Sequence, residues 1–427
     1  MNKILYKTAT GIATVAIVAS SFATAAFASV DVNITGNGAS SDNTANVNVS
    51  SNTTVNQSNT ANISNNVSVT SNTGGNKANS NTGGDVSVST GNATSNVGVK
   101  NTANSNTADV SGCNCSGDVK ATISGNGSKS DNDLNLGVSS KTWVKQDNTA
   151  NVKNNVDVNL TTGNNEANKN TGGDVSIETG NAKAKNIKVT NAVNKNVASV
   201  GNGEKSGGSL AVVITGNGAE SDNDANVNVG STNTVFQNNK ADISNDVYVT
   251  AKTGKNKANS NTGGDVSIET GDASADVAVS NLANFNAADV SSCGCLVSGT
   301  VKIKDNGAKS DNDANVGLKS ETFVTQDNLF DCSGQGEWGW DWWNKKQDCN
   351  EVTVDSNTGD NEADKNTKGH GSDPSIMTGD AGSDVVVGTS ANTNVVGNAG
   401  ADFGFPLTSS SNGNSVSLLL LLLQFFS

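Results

Sequence analysis

Two prolines and one histidine in 427 residues, with aromatics at 4% and hydrophobic residues at 33%, set the first limits on this chain. So few large apolar side chains cannot fill one large globular core, which leaves disorder or a thin, repetitive core. Scarce proline and strict apolar alternation within short runs favour the thin core. The lone His370 sits between Gly369 and Gly371, without a nucleophile held beside it, so nucleophile–base chemistry has no constellation and the chain is not expected to be an enzyme. No helical pattern follows the Gly-rich GNG and TGG turns, which excludes a phosphate-binding loop.

What is present is repetition. Gly36-Asn37-Gly38, Gly125-Asn126-Gly127, Gly216-Asn217-Gly218 and the altered Asp305-Asn306-Gly307 open four copies at intervals of 89, 91 and 89 residues. The copies fall at about residues 29–120, 121–210, 211–300 and 301–400. Repeats of this kind build length and surface rather than a catalytic cleft. A longer period of 180 residues pairs copies one and three through Cys113-Asn114-Cys115 and Cys293-Gly294-Cys295. It also pairs copies two and four through KSDND at 129–133 and 309–313, followed by Trp143 and Phe323.

Within copy one, Val30-Asp31-Val32-Asn33-Ile34, Val47-Asn48-Val49, Val67-Ser68-Val69, Val86-Ser87-Val88 and Val97-Gly98-Val99 alternate with period two, placing Val and Ile on one strand face. Gly, Asn and Asp clusters between the runs supply tight turns. The pattern predicts an all-β, elongated repeat array, a parallel β-solenoid with Asn ladders at its turns; tandem β-sandwiches are the alternative. Turns every ten to fifteen residues imply a rung of roughly 20 residues and four rungs per copy, hence an array about 80 Å long.

The first 28 residues read as a secretory signal: Lys3 and Lys7, an apolar stretch from Ile12 to Phe27, and Ala26-Phe27-Ala28 before Ser29. Its removal leaves 25 basic against 41 acidic residues, a net charge of −16, which repels nucleic acid and anionic lipid. An extracellular or cell-surface location follows as the expectation, with no integral span in the mature chain.

Three sets of side chains are candidate sites. Asp131/Asp133, Asp222/Asp224 and Asp311/Asp313 sit with Asn at the spacing that starts a calcium loop. No Gly follows at the sixth place and no Glu at the twelfth, and copy one has Thr44 for the second Asp. A solvated strand face is the favoured reading, with calcium between rungs kept open because stacked carboxylates repel. Cys332 and Cys349 bracket an excursion (331–350) that makes copy four 16 residues longer between matched markers and holds Trp338, Trp340, Trp342 and Trp343. A disulfide at its base is expected, with the indoles either a binding patch or a lid. By the 20-residue rung, the two CxC sites stand about 40 Å apart, so a bond between Cys113 or Cys115 and Cys293 or Cys295 would join two chains.

NTGGDVSI with a following TGNA, at 170–182 and nearly so at 261–273, resembles the Asn/Gly/Thr-rich repeat proteins of bacterial surfaces. Gln57, Gln146, Gln237 and Gln326, each after a β-run, are a loose echo of curlin repeats, whose spacing is not kept. Phe405-Pro406-Leu407-Thr408-Ser409 and the apolar Leu418–Phe426 of a 401–427 tail are similar to an LPxTG sorting signal, with Phe for Leu, Ser for Gly and no basic tail. The resemblance implies a structural or adhesive surface protein, a rigid acidic stalk. The alternatives are a carbohydrate-binding surface protein using the Trp-rich loop, with a glycan or a host or neighbouring cell as partner, and a calcium-stabilised fibre former.

Overall fold

Val and Asn alternation shapes every element of the computed structural model, which describes residues 5–10, 17–23, 29–111, 118–201, 208–290, 296–332, 349–367 and 374–397. The N-terminal strands β1 (Leu5–Thr10) and β2 (Ile17–Ala23) precede the first copy, which is β3 (Val30–Thr35), β4 (Asp42–Asn72), β5 (Val86–Ser89) and β6 (Ala93–Ser111). The second is β7 (Val119–Ser124), β8 (Asp131–Thr161), β9 (Val175–Glu178) and β10 (Ala182–Val200). The third is β11 (Gly208–Thr215), β12 (Asp222–Lys252), β13 (Val266–Glu269) and β14 (Ala273–Val290). The fourth is β15 (Leu296–Lys304), β16 (Asp311–Asp331), β17 (Asn350–Asn357), β18 (Ser375–Met377) and β19 (Ala381–Val396). There is no helix among the described residues, and the array is a parallel β-solenoid, as the alternation predicts.

The rung is far longer than the spacing of turn residues predicts. All 31 residues of β4 pair in parallel with β8, from Asp42 on Asp131 to Asn72 on Thr161, so one copy of about 90 residues is one rung. Four rungs about 4.8 Å apart rise only about 19 Å, whereas a 31-residue strand runs about 100 Å. The expected rod of about 80 Å along the stacking axis is therefore replaced by a thin plank whose long dimension follows the strands. The cause lies in stretches such as Ser50–Thr54 and Asn56–Asn59, whose polar residues read as turns but stay extended.

They stay extended because their inward amides are satisfied. Each rung has two broad layers, β4 against β6 and β3, joined at one end by a corner that carries β5. Along β4 the space between layers alternates in character. Ala45 and Val47 meet Val32 and Ile34; Val55 meets Ala108 and Val110. Gln57 then donates to the Thr107 carbonyl at 3.0 Å and Asn59 to Asn106 Oδ1 at 2.8 Å. Ala61 and Ile63 pack on Ala103, Asn65 bonds Asn101 at 2.9 Å, and Val69 closes on Val97 and Val99. Aliphatic and amide zones of this kind need neither aromatics nor leucine-rich faces, which is how a chain with 33% hydrophobic residues keeps a core.

Two devices hold register. Asn104, Asn194, Asn284 and Asn392 adopt φ near +60°, flipping which residues of the strand face inward, and Asn104, Asn194 and Asn284 each donate to a carbonyl across the core at 2.6 to 2.7 Å. The 91-residue interval is absorbed partly by a bulge between Ala184 and Lys188, where the offset to β6 changes from 89 to 90. The altered Asp305 of copy four keeps the left-handed φ of Gly36, Gly125 and Gly216, at 57°, a conformation that Asp tolerates.

Candidate functional site

The six predicted aspartates are brought together, in columns rather than in a chelating loop. Asp42, Asp131, Asp222 and Asp311 pair successively across the rungs, and Thr44, Asp133, Asp224 and Asp313 form the next outward column. Burial, then the stacked neighbours Asp131 and Asp311, push the Asp222 carboxyl up; burial followed by Asp222 and Asp313 does the same for Asp224. Among the described residues no three or more His, Cys, Asp or Glu side chains converge as metal ligands.

Between those columns, Asn43, Asn132, Asn223 and Asn312 point inward, each donating to the next at 2.8 to 2.9 Å. The turn ladders expected from the sequence are present, with Asn37 donating to Asn126, Asn126 to Asn217 and Asn217 to Asn306 at 2.9 to 3.0 Å. The four glutamines are stacked as well, Gln146, Gln237 and Gln326 each donating back to the preceding rung at 2.7 to 2.8 Å. The amide belts inside the core were not expected, because an isolated Asn in a strand carries no signal of its partner 89 residues away.

Cys332 and Cys349 form the expected disulfide, with Cα atoms 4.5 Å apart. Its place explains the excursion. β16 pairs with β12 up to Asp242–Asp331 and β17 resumes at Asn245–Asn350, so offsets of 89 before and 105 after reproduce the 16 extra residues, closed off at a covalent neck. Trp338, Trp340, Trp342 and Trp343 lie outside the described residues. So do Cys113, Cys115, Cys293 and Cys295, His370 and the 401–427 tail. One inference about the cysteines nevertheless changes: Val110 pairs with Val200 and Val200 with Val290, so the flanks of the two CxC sites are two rungs, about 10 Å, apart. The 40 Å separation, and with it the geometric case for an interchain bond, no longer holds.

An aromatic cluster, two of whose members mark the 180-residue period, stands on the outer face of the long sheet. Trp143 is 45% and Phe323 54% exposed, in the column that passes through Thr234. Phe236, two residues along, has its ring centroid 4.9 Å from that of Trp143. Nothing matches. Family models, curated proteins and solved structures all return no counterpart of this chain. The site therefore stands on its own chemistry: stacked acids at one end of the long face, a small aromatic cluster within it, and a disulfide-necked excursion on the fourth rung. No helix among the described residues is long and apolar enough to cross a membrane.

Proposed function

We propose that the chain is a secreted or cell-surface structural protein with an adhesive role, a rigid acidic scaffold that displays aromatic contacts. The observation that carries this reading is the commitment of inward side chains to the core through the first three rungs. Valines and amide belts alternate along the whole of β4 and repeat rung after rung, which gives a stiff body with its chemistry on the outside. Export through the N-terminal segment fits a disulfide within the fourth rung, since such bonds persist in oxidising compartments.

The second reading, recognition of carbohydrate, has its own support in the neck formed by Cys332 and Cys349. A closed neck restrains the tryptophan excursion between its two ends, and indoles stack on sugar faces. The outer trio of Trp143, Phe236 and Phe323 offers the same contact chemistry.

Adhesion of purified protein to cells and to a glycan panel tests both readings. Trp143→Ala with Phe323→Ala, and separately Trp340→Ala, are each expected to reduce binding about tenfold, roughly 1.4 kcal/mol. Loss in the Trp340 variant alone selects the excursion as the contact, and adhesion untouched by all three substitutions overturns the adhesive role.

A further inference from the structure

The two ends of the stack are unlike each other and complementary. On the fourth rung, inward-phase side chains lie open: Val301, Ile303, Leu318, Ile376, Val385 and Val387 are 45 to 61% exposed. Their counterparts one rung back, Val212, Ile214, Val229, Ile268, Val277 and Val279, are at most 3% exposed. Such an apolar strip beside unpaired strand edges is a template for another rung. The opposite end already shows that it accepts strands, because residues 5–10 and 17–23 pair in parallel along β6, with Leu5 on Ala93 and Ile17 on Ser105.

Three further features match the trailing edge to the leading one. The amide ladders are directional. Asn37, Asn126 and Asn217 each donate forward, and the glutamines donate backward, so only head-to-tail stacking sets a donor against an acceptor at the seam. One charged column alternates: Lys77 pairs with Glu166 at 3.2 Å and Lys257 with Glu362 at 3.4 Å, the four residues bridging in order. It begins on lysine and ends on glutamate, so a following Lys77 would continue it. At the acid columns the seam sets Asp311 over Asp42, a like-charge contact, but Asp313 over the uncharged Thr44.

The glycines give the strongest indication. A Cβ on Gly74, Gly163 or Gly254 would collide with the carbonyl of the next rung's glycine, as at Gly254, where the Gly359 oxygen lies 1.7 Å away. A Cβ on Gly359, which ends that column, would meet no backbone; the nearest atom to it would be Asn357 Oδ1 at 3.6 Å. In the GNG column the crowding points the other way, from Gly127 to Ala39 and from Gly307 to Ala219, and a Cβ on Gly38 at its head would meet nothing within 4 Å. Neither Gly38 nor Gly359 has the positive φ that would itself call for glycine. Both face outward from the stack, one at each end, where a neighbouring rung would exclude a Cβ.

We infer that the fourth rung is an assembly face for a second copy of this chain, whose first rung stacks on it head to tail, the fourth rung taking the place along that rung's β6 that residues 5–10 and 17–23 occupy. The inference rests on the structural reading above and extends it to a linear polymer with four rungs per subunit. The test uses the full chain and the form beginning at Ser29, studied by sedimentation velocity and electron microscopy. The Ser29 form is expected to polymerise with concentration into filaments with a rung spacing of about 4.8 Å and a subunit repeat of about 19 Å. The full chain is expected to need at least about tenfold more protein, a shift of roughly 1.4 kcal/mol.

In the Ser29 form, Gly359→Ala and, independently, Gly38→Ala are expected to abolish filaments while the melting temperature of the monomer stays that of the parent. A Ser29 form that remains monomeric up to on the order of 100 µM, or filaments that form equally well with both alanines, overturns the inference. Monomers that still adhere to cells would sink assembly and leave the adhesive reading intact. Filaments that adhere to nothing would do the reverse.

Discussion

At the scale of single residues, the fold depends on side chains that are polar and buried together. Asn196 lies at the centre of one belt: it donates to Asn239 and Asn286 Oδ1 at 2.9 and 3.0 Å and accepts from Asn106 and Asn148 at 2.9 and 2.8 Å. Asn196→Ala strands those partners in the core and is expected to cost at least about 2 kcal/mol by denaturant titration. The exposed ladder residue Asn135, substituted the same way, is expected to change stability by less than about 0.5 kcal/mol. The aspartate columns set a pH dependence with a definite sign. Asp222 and Asp224 titrate above the ordinary 3.8, so the folded chain holds their protons more tightly than the unfolded one. Their charged forms therefore cost stability at neutral pH, and that cost disappears as pH falls through the raised values towards the ordinary carboxylate range. Glu166, held low by Lys77 and Asn79, acts in the opposite sense and loses its contribution as pH falls through its lowered value. Asp222→Asn with Asp224→Asn is expected to raise the melting temperature at neutral pH and to bring a much smaller gain at about pH 4. Equal gains at both values would show that the charge on these stacked carboxylates is not the cause.

At the scale of elements, a rung is a two-layer loop whose corners are fixed by backbone contact between neighbours. Gly163→Ala puts a methyl group against the Gly254 carbonyl, 1.8 Å from the ideal Cβ, and is expected to destabilise the stack by about 3 kcal/mol or more in thermal melts. The neck of the excursion is an element of its own. Reducing the Cys332–Cys349 bond, which spans a sequence separation of 17, is expected to remove up to about 3 kcal/mol. Hydrogen exchange should then rise around β16 and β17 while β8 stays protected. How much of this could be read from residues varies by element. The strands at Val30–Ile34, Val86–Val88 and Val97–Val99 were legible because apolar alternation alone defines them. The continuity of β4 from Asp42 to Asn72 was not, because Gln57, Asn59 and Asn65 carry the period with amides that resemble turn residues until their partners are known. The repeat length was plain, but its meaning as one turn of the coil depended on that continuity. Phe236 gave no signal of its own; it joins Trp143 only through the register of β8 and β12.

At the scale of the whole molecule, the plank is about 100 Å along its strands and a few rungs deep, so its two largest sheet faces are outward and its growth direction is short. Every pairing between successive rungs joins residues 88 or more positions apart, as at Gly208 and Leu296 and at Asp42 and Asp131. The entropy of closing such large loops falls due before the first ladder can form, and local contacts offer little to offset it. The first pair of rungs to form is thus expected to be the kinetic nucleus. Once it exists, each later copy needs only to settle onto an ordered edge of matching sequence. Refolding from denaturant is expected to begin slowly and to quicken when a small amount of folded protein is added, with the initial phase followed by circular dichroism. A single-exponential recovery indifferent to such seeding would contradict it. In a protein built this way, whichever two coils form first are expected to act as the catalyst for folding the rest.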